Sequence, residues 1–296
     1  MARTPSLKLS LGFCLVLGVF GGVSALSARQ GSGQDERLAR ILERTRDYCL
    51  KLEKTALDFT CMEKIEEKTF AAPWIQPDLA VGSGSPRGAG EITHVYRSPA
   101  RSYSNTCVYD YQFVRKGDQK TERRILTEEN GRKKNVENAE LSTQTIRVQN
   151  VLFGPIGLLG PQGQAEHDYK IVGEESQDGK KIVVIEATPK PSLNRPHCFG
   201  RIWVQESDSS VVKISWEQTS VGNFAMIEAT AQAIKAEPRL TSITEYGLVK
   251  NGIRFPSKDT TEEAYLLKDG TKYIKSKTTI LYEKYKIFMV ETEIEY

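Results

Sequence analysis

The sequence is poor in the residue types that build most catalytic and metal sites. Its 296 residues include only 3 histidines and 5 cysteines, and they form neither a Cys-x-x-Cys pair nor an HExxH motif. A Gly-x-Ser-x-Gly nucleophile motif is missing as well. Basic and acidic residues nearly balance, 41 against 38, which argues against the basic face that nucleic-acid binding requires. We therefore predict no catalytic residues, no metal, no cofactor and no nucleic-acid partner.

The one long apolar run stands at the N-terminus. Two basic residues precede the run Leu9–Val23 (LSLGFCLVLGVFGGV), and small residues follow it. This order is typical of a secretory signal peptide, and the run is short and glycine-rich for a transmembrane helix. We predict a signal peptide over 1–25, cleaved after Ala25 or alternatively after Ala28, and export to the periplasm or the extracellular space. An uncleaved membrane anchor is the alternative.

Export changes the interpretation of the cysteines. Removal of the signal peptide leaves Cys49, Cys61, Cys107 and Cys198, an even number in an oxidising compartment. Of the three possible pairings, the sequence favours Cys49–Cys61, joining the end of a helix to the next strand, and Cys107–Cys198, joining strands distant in sequence. A zinc site is the alternative.

The mature chain is predicted to begin with a leader and one helix. Residues 26–34 (LSARQGSGQ) are typical of a flexible leader, and Asp35 is the predicted N-cap of an amphipathic helix. The apolar face of this helix recurs at intervals of three and four residues, at Leu38, Ile41, Leu42, Thr45, Cys49 and Leu52.

From Leu57 onward the apolar period changes to two, which predicts strands. A proline- and glycine-rich stretch over 71–90 predicts a mobile loop. Hairpin turns are expected at 116–118, Asp178-Gly179, 207–210, Asn251-Gly252 and Asp269-Gly270.

About ten antiparallel strands with one apolar face cannot stay flat and uncovered. The predicted fold is therefore mainly β with few helices (α+β), a long antiparallel meander curled into a half-barrel. The N-terminal helix and a mid-chain lid would cover it, in a single domain over 35–296.

The lid is the uncharged segment Val151–Pro161 (VLFGPIGLLGP). Helical spacing over 140–152 predicts a short helix, and the glycines and prolines that follow predict an irregular apolar tongue. Four exposed apolar side chains would each cost roughly 1.5–3 kcal/mol, so the tongue must cover the sheet as lid or plug. The predicted ligand-binding residues in the lid and cavity are Leu152, Phe153, Ile156, Leu158, Leu159, Ile214 and Trp216.

The strings YDYQFV, FGRIWVQESDSSVVKI and EKYKIFMVETEIEY, within this order of elements, resemble uncharacterised secreted bacterial proteins and the periplasmic lipoprotein-carrier and outer-membrane lipoprotein-sorting family. The resemblance implies a concave face that binds acyl chains beneath a helical lid, with a lipid or a lipoprotein as partner. The chain departs from the family in its greater length, its 71–90 loop and its predicted disulfides. No lid-latching arginine of the family can be matched by motif.

Three functions remain open at this point. The leading hypothesis is an exported, non-enzymatic, monomeric protein that binds an apolar ligand, with no transmembrane segment in the mature chain. The alternative is a structural or protein-interaction domain of the cell envelope with a filled core. A secreted hydrolase is the third.

Overall fold

The computed structural model describes residues 24–55, 58–72, 101–116, 119–141, 143, 154–193, 197–222 and 224–288. Five predictions fall wholly or largely outside these ranges. They are the signal peptide up to residue 23, the loop from residue 73 to 90, the turn at residues 117 and 118, the short helix from residue 144 to 152, and the closing strand beyond residue 288.

Strands dominate the described residues, and an open antiparallel sheet contains eleven of them. Their order across the sheet is β4-β3-β2-β1-β13-β12-β9-β8-β7-β6-β5, and β10 pairs with β11 in a separate hairpin. The strands are Phe59–Thr69 (β1), Tyr103–Lys116 (β2), Gln119–Glu129 (β3), Arg132–Val136 (β4), His167–Gln177 (β5), Lys180–Pro189 (β6), Gly200–Gln205 (β7), Val211–Trp216 (β8), Glu237–Glu245 (β9), Leu248–Lys250 (β10), Ile253–Phe255 (β11), Lys258–Leu266 (β12) and Lys272–Ile287 (β13).

The sequence order explains most neighbours in the sheet, with two exceptions. Several consecutive strands pair through tight turns, and both residues of the Asp178-Gly179 and Asn251-Gly252 turns have positive φ, between 51° and 74°. These are the turn conformations that asparagine, aspartate and glycine tolerate best. The exceptions are β9, which pairs with β12 because the β10–β11 hairpin lies outside the sheet, and β1, which pairs with β13. The predicted meander therefore consists of two runs joined through the first and last strands. The mainly β, curled and unclosed sheet is as predicted.

Helix α1 (Ser24–Thr55) is longer than expected. It begins before Asp35, so the predicted N-cap and the flexible leader at 26–34 are both wrong. Once a helix is nucleated, each added residue costs little, and helix-favouring residues such as Ala25 and Gln30 outweigh the glycines between them and Asp35. Its predicted apolar face is confirmed. Four members of that face are buried: Ile41, Thr45, Cys49 and Leu52.

Helix α4 (Phe224–Ala233) was not predicted. Its buried side chains Phe224, Ile227 and Ala231 form a second apolar cluster with residues of β9, β12 and β13. The other two helices, α2 (Gly154–Leu159) and α3 (Pro161–Glu166), belong to the candidate site.

A buried ion pair joins β1 to β3 inside the sheet. Nε and Nη2 of Arg124 donate to the two carboxylate oxygens of Glu63 at 2.7 and 3.1 Å. The side chain of Glu63 is 1% exposed and that of Arg124 is 10% exposed. The guanidinium also lies 4.7 Å from the ring centre of Tyr111. The two charges therefore compensate each other in a place where neither is hydrated.

Removal of one partner of the Glu63–Arg124 pair should destabilise the fold. We expect Arg124→Leu to lower the free energy of unfolding by about 3–5 kcal/mol, because it leaves Glu63 buried without its counter-charge. The matched control Arg123→Leu changes the exposed neighbour on the same strand. It should change the free energy of unfolding by no more than about 0.5 kcal/mol. Equal effects of the two variants in denaturant titrations would contradict this account.

Candidate functional site

A row of side chains, all buried except the partly buried Ile171, runs across the face of the sheet that the helices cover. Its members face one another directly on nine adjacent strands, from β5 through β9, β12, β13 and β1 to β2. Side chains directly opposite in neighbouring strands point to the same face of a sheet. In order, the row contains Ile171, Ile185, Ile202, Ile214, Thr244, Asp259, Ile280, Ile65 and Cys107. We call it the isoleucine row.

Asp259 is the one ionisable carboxyl group in the isoleucine row, and it is 2% exposed. Its Oδ2 accepts a hydrogen bond from the Thr244 hydroxyl at 2.7 Å. The same hydroxyl accepts from Nε1 of Trp216 at 3.0 Å. Oδ1 of Asp259 has no hydrogen-bond partner. Burial raises the pKa of Asp259 to about 6, against the opposing effect of the Thr244 hydrogen bond.

The next two rows on this face are more polar. One step along the strands, four buried polar side chains face one another across β9, β12, β13 and β1. They are Ser242, Thr261, Thr278 and Glu67. A further step brings Glu263, whose carboxylate accepts from Nζ of Lys275 at 2.8 Å. The buried face thus changes from apolar to hydroxyl-rich over two residues of strand.

Helices α2 and α3 lie over the apolar part of this face, and we call residues 154–166 the covering segment. The sequence predicted an irregular tongue here, which is wrong: the segment forms two helices of six residues each. Proline favours the first helical position because it has no N–H to bond there, and Pro161 occupies such a position after Gly160. The prolines in this segment therefore start helices.

Side chains from α1, from β5 and from the residue after β6 hold the covering segment. Its leucines Leu158 and Leu159 are fully buried. Five side chains bond across its boundary. Cys49 Sγ donates to the Pro155 carbonyl at 3.3 Å, Gln164 Nε2 donates to the Leu42 carbonyl at 2.6 Å, and Lys190 Nζ donates to the Ala165 carbonyl at 2.8 Å. Tyr169 Oη donates to the carbonyls of Leu158 and Gly163, and His167 Nδ1 lies 2.8 Å from the Gly163 carbonyl. The segment is attached both to α1 and to β5.

Gly154, at the start of α2, packs closely against the sheet. A Cβ atom at this position would lie 2.8 Å from Tyr246 Oη, 3.1 Å from Trp216 Cζ2 and 3.2 Å from Ile214 Cδ1. In the structure the absence of a side chain allows the backbone to reach Ile214 and Trp216.

The structure brings the described members of the predicted site together. Ile214 and Trp216 lie directly beneath Gly154, Leu158 and Leu159 are buried, and Ile156 is partly buried against the same core. Leu152 and Phe153 lie outside the described residues.

Sequence reasoning missed the polar centre of the site, Asp259 and Thr244. In KDTTEEAYL, Asp259 looks like one more polar residue of a strand, and only the register shows that it faces inward. Asp259, Thr261 and Glu263 stand two residues apart on β12 and are all buried, so Asp259 follows the alternation of its strand.

Neither predicted disulfide is present among the described residues, which include Cys49, Cys61, Cys107 and Cys198. Cys107 on β2 and Cys198 before β7 are six strands apart in the sheet, about 29 Å along it, whereas a disulfide needs Cα atoms within about 7 Å. The Cys49 thiol is directed at Pro155, and burial raises its pKa to about 12. Cys61 faces Tyr111 on the next strand.

Two of the three histidines contact each other at the C-terminal end of the covering segment. His167 Nδ1 lies 2.8 Å from the Gly163 carbonyl, and its Nε2 lies 2.9 Å from Nε2 of His197. Cys198 Sγ bonds to the Ser220 carbonyl instead, so His197 and Cys198 do not form a nucleophile–base pair. Within the described ranges, no group of three or more metal-ligating side chains could hold an ion.

The described part of the chain contains no helix that is both long and apolar enough to cross a membrane. No family model matches the sequence, and no curated protein matches it significantly.

Solved structures of similar fold do exist. A DUF1329 family protein from Desulfovibrio piger is 10% identical, with 83% of this chain and 92% of that chain covered and a TM-score of 0.38. A LolA superfamily protein from Nitrosomonas europaea is 15% identical, with 85% and 94% covered and a TM-score of 0.35. A putative outer membrane lipoprotein-sorting protein domain from Vibrio parahaemolyticus is 7% identical, with 86% and 93% covered and a TM-score of 0.40.

The close approach of Gly154 can be tested by adding one methyl group. We expect Gly154→Ala to lower the free energy of unfolding by about 1–3 kcal/mol, because the new Cβ overpacks against Tyr246 and Trp216. The control Gly157→Ala lies in the same helix with open space around the added atom, and should be neutral or stabilising by up to about 1 kcal/mol. Thermal unfolding of the two variants distinguishes them, and the reverse order would refute the contact.

Asp259 should make stability fall as the pH rises. The folded protein keeps this acid protonated up to about pH 6, whereas the unfolded chain ionises it near pH 3.8. Raising the pH through this window therefore favours the unfolded state, by roughly 3 kcal/mol at most. Asp259→Asn has no titrating group at this position, so it does not lose stability in this way as the pH rises.

The measurement is the difference in free energy of unfolding between Asp259→Asn and the wild type. It should grow in favour of the variant from pH 4 to pH 7 and then level off. Asp168→Asn, at an exposed position on β5, serves as the control. A difference that does not change with pH would show that Asp259 has no raised pKa.

Proposed function

We propose that the protein is an exported, non-enzymatic binder of an apolar ligand, a lipid or an acyl-bearing partner. The ligand lies on the isoleucine row of the concave face, in the place that the covering segment occupies in the structure. The observation that carries the proposal is the kind of cover this face has: two six-residue helices, the first of which begins at Gly154 against Ile214 and Trp216.

Helices of this length have no stability of their own in water, since nucleation costs more than a single turn returns. The covering segment therefore keeps its shape only through contacts with α1 and the sheet. These contacts are the buried side chains of Pro155, Leu158 and Leu159, the partly buried Ile156, and hydrogen bonds made by five side chains. A ligand that offers the sheet an equivalent apolar surface keeps the face of the sheet buried when it displaces the segment.

The second candidate is an envelope domain with a filled core. The tight fit of Gly154 against Trp216 and Ile214 favours it, because the covering segment would then be a permanent plug.

Uptake of a simple acyl probe separates the two candidates. Methyl dodecanoate is added to the purified protein, and its binding is followed by displacement of a naphthylamine fluorophore and by native mass spectrometry. We expect one-to-one binding. Leu158→Ala should raise the association rate several-fold, because loss of a fully buried leucine weakens the covering segment by about 2–5 kcal/mol.

The matched control is Met226→Ala, an exposed apolar residue on α4, which should leave the rate unchanged. Absence of binding in the wild type and in Leu158→Ala, together with no lipid extracted from protein purified from its own host, would favour the filled core. An equal rate increase in both variants would show that the ligand does not enter beneath the covering segment.

A further inference from the structure

We propose that Asp259 is the specificity residue of the ligand site, and that the ligand is an amphiphile whose head group donates a hydrogen bond. The unpaired Oδ1 of Asp259 accepts that bond, while the apolar tail lies along the isoleucine row. This inference rests on the proposed function and adds to it the chemical class of the head group.

The first argument is that a buried aspartate at position 259 destabilises the fold. Every other member of the isoleucine row except Thr244 is apolar, and isoleucine at position 259 would complete it. A buried carboxyl oxygen without a partner destabilises the fold, and such groups in native proteins call for an explanation. A donor from a bound molecule supplies the missing hydrogen bond.

The second argument is that the rest of the carboxyl group is held in place. Oδ2 is fixed by the Thr244 hydroxyl, which is itself oriented by the Trp216 indole N–H. Trp216 in turn lies against Gly154 of the covering segment. Displacement of the covering segment thus uncovers the indole that positions Asp259, and Oδ1 is left as the pre-oriented acceptor.

The third argument concerns charge and polarity around Asp259. The neighbouring row is rich in hydroxyl groups, and two further buried carboxylates, Glu67 and Glu263, lie in the rows beyond. Lys275 is paired with Glu263. These surroundings suit a hydroxyl or an ammonium head group and oppose a carboxylate. The buried acids of this face are Asp259, Glu63, Glu67 and Glu263. They outnumber the two cations Arg124 and Lys275, each of which is already paired with one of these acids.

Four dodecyl probes that share a tail test the proposal: dodecanol, dodecylammonium, methyl dodecanoate and dodecanoate. Their affinities are measured by calorimetry at neutral pH below their aggregation concentrations. The wild type should bind dodecanol and dodecylammonium about ten-fold tighter than methyl dodecanoate, which cannot donate, since one hydrogen bond to a charged group is worth that factor. Dodecanoate should bind most weakly.

Two substitutions of Asp259 refine the test. Asp259→Asn keeps an acceptor oxygen and should preserve the dodecanol preference while reducing that for dodecylammonium. Asp259→Leu should remove both preferences and leave methyl dodecanoate binding unchanged or tighter. Asp168→Leu, at an exposed acid on β5, should change none of the affinities.

The outcomes separate this inference from the proposed function. If the wild type binds all four probes equally, or dodecanoate best, Asp259 does not select the head group and the inference is overturned while acyl binding stands. If no probe binds, the proposed function fails and the inference fails with it. Should Asp259→Leu not fold, the wild-type series and Asp259→Asn still decide the question.

Discussion

The concave face of an open eleven-stranded sheet is the constraint on which the rest of the structure depends. Strand twist curls such a sheet, and the curled inner face must be removed from water. Helix α1 covers part of it, α4 covers the end near Leu240 and Tyr265, and the covering segment closes the part above Ile214. Each helix is positioned by the apolar surface that it buries, so the helices follow from the sheet.

Local signals in the sequence predict much of this fold, and long-range pairing explains what they miss. Asx-Gly turns locate hairpins because they need positive φ, whatever the rest of the chain does. The pairing of β1 with β13 has no such local signature, since it joins segments more than 200 residues apart. The spacing of Phe224, Ile227 and Ala231 does carry a helical signal for α4, at intervals of three and four, which the strand-rich context obscured.

The candidate site was predictable in its apolar half and not in its polar half. The cost of exposing Leu158 and Leu159 in water predicts their burial without any knowledge of the fold. The cysteine pairing went wrong because an even count gives no distance, and six strands separate Cys107 from Cys198. Asp259 was hidden because acids are common on strands, and its inward direction depends on a register with β9 and β13 that the sequence does not reveal.

Asp259 and the Glu63–Arg124 pair show two ways in which this interior holds charge. The Arg124 guanidinium neutralises Glu63 through two hydrogen bonds, so the pair is complete within the protein and needs nothing from outside. Asp259 has one oxygen bonded and one not. A core selected only for packing would treat both acids alike, either pairing them or replacing them. The difference between them is most simply explained if the second acid meets its partner in a bound molecule, beneath a cover short enough to move.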